Sequence, residues 1–158
     1  MKRFVAASLA LVAASAAFAG EWRRYHNARC GVSAEVPANW RMGPPPENDD
    51  GRVFASPEGD AEIIVSGSHV LEPLDQEFAR MLAPDGATVE YKSRGRDRVV
   101  VSGRKGGRIY YRKALLSCGA TVWNSVYLEY PAERKAAFDP IVAHVAASLR
   151  GGKGADCK

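Results

Sequence analysis

The sequence predicts an α+β fold, a sheet of about six or seven strands with helices packed against it. Three observations carry this prediction. First, Arg108 to Pro131 reads as two long strands joined by Ser117-Cys118-Gly119-Ala120. In the second, Val122, Asn124, Val126, Leu128 and Tyr130 alternate with Thr121, Trp123, Ser125, Tyr127 and Glu129, so both faces carry apolar bulk. A strand of that kind belongs inside a sheet covered on both sides. Second, the stretches before it alternate short strand patterns with Gly, Pro and Asp turn signals. Third, only two segments carry apolar residues at helical spacing.

In chain order, Glu21 to Asn27 is a polar and aromatic lead-in. Val32, Ala34 and Val36 alternate within Gly31 to Pro37, which reads as a strand closed by its proline, with Trp40 in the turn that follows. Gly43 to Gly51 contains three consecutive prolines and an Asp-Gly pair and reads as a surface loop. Arg52 to Ser56 and Ala61 to Ser66 form a predicted hairpin around Pro57-Glu58-Gly59-Asp60. Pro73 to Ala83 places Leu74, Phe78, Met81 and Leu82 on one helical face, ended by Pro84-Asp85-Gly86. Thr88 to Ser93 and Val99 to Ser102 are further strands, turning at Gly95 and at Gly106-Gly107. In the last helix Phe138, Ile141, Val142, Val145 and Leu149 make an apolar stripe. Asp139 reads as its N-cap and Pro140 as its first residue, with any turn over Glu133 to Ala137 interrupted by the proline.

The first 19 residues have the form of a secretory signal: Lys2 and Arg3, an apolar run from Phe4, and Ala17-Phe18-Ala19 as an A-x-A cleavage site. The expected mature chain starts at Gly20 and is periplasmic or secreted, with no transmembrane segment. Removing 19 of 158 residues leaves 139, one domain over 20–150 and a flexible tail over 151–158. Formal charge falls from +4 to +2 as Lys2 and Arg3 leave. Three cysteines, Cys30, Cys118 and Cys157, enter an oxidising compartment. A last helix returning along the sheet brings the chain after Leu149 back toward Cys118. The expected disulfide is therefore Cys118 to Cys157, with Cys30 a buried thiol; pairing of Cys30 with Cys157 is the alternative.

Four stretches carry a family resemblance: Asn27 to Val32 with Val36-Pro37-Ala38-Asn39-Trp40; Asp50 to Gly59; Val100 to Gly103 with Ile109 to Lys113; and Leu128 to Pro131 with Phe138 to Val142 and Ala147-Ser148-Leu149. In this order they resemble bacterial secreted proteins of the PsbP-like α/β/α sandwich fold. That fold is shared by the extrinsic PsbP subunit of photosystem II and a Ran-binding nuclear-transport factor. The resemblance implies a central antiparallel sheet flanked by helices, and a binding or assembly role without catalytic residues. Cys30 and Arg98 depart from the pattern, standing where an aromatic and a tryptophan are expected.

No G-x-S-x-G, H-E-x-x-H or P-loop occurs in the chain. His26, His69 and His144 are scattered and read as solvated or hydrogen-bonded side chains. No cofactor is expected. Eleven carboxylates lie between Glu47 and Glu90 against Arg52 and Arg80 alone. Asp49, Asp50, Glu58 and Asp60 would offer calcium-type oxygens if their loops met, but match no EF-hand and read as turn residues. The opposite polarity follows: nine basic residues, Lys92, Arg94, Arg96, Arg98, Arg104, Lys105, Arg108, Arg112 and Lys113, against Asp97. The first seven are candidates for contact with an anionic partner. The strand between its two turns holds their clusters roughly 15 to 20 Å apart. Nothing resembles a groove-reading element, so nucleic acid is not expected. The expected function is an exported, non-catalytic binding or assembly module for a protein or cell-envelope partner. The competing class is a small periplasmic hydrolase or transferase with a pocket lined by His69, Glu62 and nearby tyrosines.

Overall fold

In the computed structural model, which describes residues 20–157, the chain forms two sheets and two α-helices. The segment expected as a signal peptide lies outside the described residues. In order the elements are β1 Trp22–His26, β2 Ser33–Pro37, β3 Arg41–Met42, β4 Gly51–Ala55, β5 Glu62–His69, α1 Leu74–Leu82, β6 Thr88–Arg94, β7 Arg98–Lys105, β8 Arg108–Ser117, β9 Val122–Pro131 and α2 Lys135–Ser148. Seven strands make an antiparallel sheet in the order β3-β4-β5-β9-β8-β7-β6, while β1 and β2 pair with each other alone. The long β8–β9 hairpin is central, as the two apolar faces of β9 require.

Val126, Leu128 and Tyr130 of β9, with Phe54, Ile63 and Val65, face a layer made by β2 and α2. That layer contributes Val32, Ala34 and Val36, together with Phe138, Ile141, Val145 and Leu149. On the opposite face a smaller core joins Phe78 and Met81 of α1 to Val99, Ala114 and Trp123. The architecture is thus a sandwich with the seven-stranded sheet in the middle.

Three local expectations are corrected. The lead-in at Glu21 is a strand, β1, hidden by its lack of clean alternation; Trp22 and Tyr25 both pack on the main core. Pro140 does not start α2 but lies inside it. Its missing N–H forfeits one bond, to the Ala136 carbonyl, at about 3 kcal/mol. Burial of Phe138 and Ile141, 3% and 5% exposed, at about 1.5 to 3 kcal/mol each, offsets that loss. Asp139 is not a cap; its carboxylate accepts from Lys135 Nζ at 2.7 and 2.9 Å. The stretch read as a flexible tail is hydrogen-bonded to the body of the protein. Ser33 and Arg150 exchange backbone bonds, and the amides of Ala155 and Asp156 donate to the carbonyls of Ala28 and Arg29, both at 2.9 Å. Cys118 and Cys157 are joined by a disulfide with Cα atoms 5.1 Å apart, and Cys30 is a free, buried thiol.

Candidate functional site

Residues directly paired across strands share a face, so the register sorts every side chain of the sheet. The α2 side is covered. The α1 side is not, because α1 has nine residues, about 13.5 Å of helix, against strands β8 and β9 of ten residues, about 33 Å each. The helix covers the Val99, Ala114 and Trp123 end. Toward the other end the same face presents Tyr110, Arg112, Tyr127 and Glu129, then Ile64, Ser66 and Val53 across β5 and β4.

Two concavities open there. One is a groove of about 330 Å³ between Pro44-Pro45-Pro46 and Gly51, Val53, Ile64 and Ser66. A second hollow, about 400 Å³, continues it past Pro44 to Met42 and Ala55. Val53 is 41% exposed, so apolar surface of the strip is open. The prolines cannot pair as strand and cannot relax into helix, which holds the groove wall in one shape. The other concavity, about 230 Å³, lies between the loop after α1 and the strands that carry Tyr110, Arg112 and Tyr127.

Hydrogen bonds order the polar part of this face. Tyr127 Oη donates to Glu129 Oε2 at 2.7 Å, and Arg108 Nε donates to Oε1 at 2.6 Å. Burial alone would raise the Glu129 pKa, but these two donors hold it below the usual carboxylate range. Burial, and then the hydrogen bond to Glu129, push the Tyr127 phenol well above its ordinary value. Burial lowers the pKa of Arg112.

The basic block does not form one patch. Lys92, Arg94, Lys105, Arg108 and Arg112 lie on the α1 side, Arg98, Arg104 and Lys113 on the α2 side, and Arg96 in the β6–β7 turn. Two members of the acidic block, Asp75 and Glu90, are folded onto it. Arg94 Nη2 donates to Asp75 Oδ1 at 2.9 Å and its guanidinium lies 3.9 Å from the Phe78 ring. Arg104 Nε reaches Glu90, bulged from β6, at 2.8 Å. Lys113 Nζ donates to the Ala146 carbonyl at 2.7 Å, in the last turn of α2. Lys92, Arg96, Arg98 and Lys105 have no hydrogen-bonding or ionic side-chain partner among the described residues.

Glu62 and His69 stand at opposite ends of β5, roughly 23 Å apart along the strand, and on opposite faces. The pocket suggested for them is therefore not formed. His69 Nε2 lies 3.1 Å from Asp156 Oδ2, and His144 Nε2 lies 2.7 Å from Glu35 Oε2 while stacking on Trp22. Asp49 bonds Arg52, whereas Asp60 bonds Arg134 and Ser56 at the other end of β4. The two acidic loops do not meet.

A polar knot that the sequence reading passes over fixes the C-terminal segment. Asn124, 0% exposed, donates from Nδ2 to the Cys30 carbonyl at 2.9 Å and accepts from Ser117 Oγ at 2.8 Å. Its signal is visible in the sequence, an amide in an otherwise apolar row. Arg112, a cation on the inner strand β8, carries a similar signal.

No protein-family model and no curated protein matches the chain. Among solved structures, it is similar to the solution structure of cyanobacterial PsbP (CyanoP) from Synechocystis sp. PCC 6803. The TM-score is 0.63 at 14% identity, over 90% of this chain and 99% of that one. It is also similar to the Ran-binding protein Mog1p of Saccharomyces cerevisiae, with a TM-score of 0.54 at 7% identity, over 84% and 96% of the two chains. The fold is PsbP-like, as the ordered short motifs imply.

Proposed function

We propose that this PsbP-like chain is an exported, non-catalytic binding module, and that a protein of the cell envelope docks on the apolar strip along β3, β4 and β5. The observation that carries the reading is the groove itself. Val53 is a large apolar side chain left 41% exposed beside three consecutive prolines. Contiguous exposed apolar surface of this kind marks interaction sites in monomeric proteins. A wall already fixed by proline loses little conformational freedom on binding. The disulfide fits an oxidising compartment, and among the described residues no helix is long and apolar enough to cross a membrane. Mog1p, described as Ran-binding, supports a protein-binding use of this fold. Lys92, Arg96, Arg98 and Lys105 add the positive field that would speed encounter with an anionic surface.

The test is affinity capture from an envelope extract with the full chain as wild type, Val53→Asp and Ala143→Asp. Ala143 is exposed on α2, across the molecule. Retention of one stoichiometric protein by wild type and Ala143→Asp, and its loss with Val53→Asp, is the expected result. Equal capture by all three, or no capture by wild type at low salt, overturns the reading.

A further inference from the structure

We infer that the cavity between the loop after α1 and the Arg112 strand is a binding site for a small organic monocarboxylate, separate from the apolar strip. The cavity is about 230 Å³, walled by Pro84 and Ala87 on the loop side and floored by Val101, with Tyr110, Arg112 and Tyr127 converging on it. That is below the span typical of drug-sized ligands and suits a compact molecule.

Arg112 is the reason for expecting an anion. Its side chain is half-buried in the sheet face, yet it makes no hydrogen bond or ion pair with any described residue. Its guanidinium carbon lies 5.4 Å from the centroid of the Tyr127 ring. Buried cations are ordinarily paired, and a guanidinium presents a planar fork of donors that a carboxylate matches in bidentate fashion. The carboxylate nearest in the register, Glu129, is already engaged by Arg108 and by the Tyr127 hydroxyl. Tyr110 Oη is likewise used, donating to the Thr88 carbonyl at 3.3 Å. These bonds lock the two tyrosine rings, stacked at 6.4 Å and 14°, as an apolar wall.

Charge selects among anions. Lys105 and Asp85 also line the cavity. With Arg112 they leave one net positive charge, matched by a single negative charge and not by two. Pro84, Ala87 and the tyrosine rings then give a carboxylate with a hydrocarbon or aromatic body contacts that inorganic phosphate cannot use.

The experiment is calorimetric titration of the full chain with benzoate, hexanoate and inorganic phosphate at pH 7.5. Saturable binding of benzoate or hexanoate is expected, with phosphate weaker. Arg112→Gln should weaken it about tenfold or more, since a hydrogen-bonded charge pair is lost. Ala87→Phe fills the mouth of the cavity from a loop and should weaken it as much without removing any charge. Arg104→Gln, on the other face, should leave it unchanged. Asp85→Asn should tighten it and narrow the gap to phosphate. Circular dichroism melts confirm that each variant is folded. Absence of saturable carboxylate binding to wild type, tighter binding of phosphate than of either carboxylate, or unchanged affinity in folded Arg112→Gln and Ala87→Phe overturns the assignment.

Discussion

Replacing both Cys118 and Cys157 by serine removes the one covalent link between the β8–β9 turn and the end of the chain. The bonded residues are 39 apart in sequence. A closed loop of that length lowers the entropy of the unfolded chain enough to stabilise the fold by about 3.9 kcal/mol at 25 °C. For a domain of this size each kcal/mol is worth roughly 3 to 4 °C in melting temperature, so a fall of about 10 to 15 °C is expected. The structure adds a local consequence. Beyond Arg150 the C-terminal segment is held by hydrogen bonds from the amides of Ala155 and Asp156, by the ion pair of Asp156 with Arg29, and by the 3.1 Å contact of Asp156 with His69 Nε2. It lies over Cys30, whose Sγ is 3.9 Å from Asp156 Oδ2. Burial first, and then the Asp156 charge, raise the Cys30 thiol pKa, so the native thiol is protected twice over. Once the bridge is gone the segment opens more often, and Cys30 gains both access and thiolate character. Urea unfolding, read beside the rate at which a thiol reagent labels Cys30 in the double variant, measures both effects. A loss below about 1 kcal/mol, with Cys30 labelled no faster than in wild type, would refute this account of the C-terminal segment.

Asn124→Ala should cost about 2 to 3 kcal/mol, because it strands the buried Cys30 carbonyl and leaves a void, and chemical denaturation should show this with an unchanged slope. Gly67→Ala should be similarly costly, since the added methyl would collide with Cys30 Cβ and Sγ; pairing it with Cys30→Gly, which removes both atoms, should recover part of the loss, which a double-mutant cycle will read. Glu77 is 1% exposed and bonded by Arg80 at 2.5 Å and by the amides of Leu71 and Glu72. Burial would raise its pKa, but these donors more than offset that and hold it below the usual carboxylate range. A lowered carboxyl adds stability that is complete above the unfolded value of about 4.3 and disappears as pH falls through the lower folded value. Stability measured against pH should therefore fall less steeply below about pH 4.3 in Glu77→Gln than in wild type.

The layers of the fold were legible because burial wrote them into the chain. The two apolar faces of β9 place it inside the sheet, and Val32, Ala34 and Val36 alternate because β2 buries one side. Phe78 and Met81 likewise betray the face of α1. β1 was not legible, since its half-buried ring positions, Trp22 and Tyr25, break the period of two. Nor was the path of α2 through Pro140, where tertiary burial of Phe138 and Ile141 outweighs a local rule. The apolar strip joins the proline loop to residues of β3, β4 and β5, and the Arg112 cavity joins loop 84–87 to three strands. Such juxtapositions depend on sheet order, which no single segment encodes. The charge blocks mislead for the same reason: separate along the chain, they pair in space as Asp75 with Arg94 and Glu90 with Arg104.

Docking on the β3–β4–β5 strip is most directly tested by photo-cross-linking in living cells, with benzoylphenylalanine placed at position 53 or, as control, at position 143. The account predicts one discrete adduct of constant mass from position 53 and none from position 143. An adduct from position 143 alone, or none from either, would contradict it.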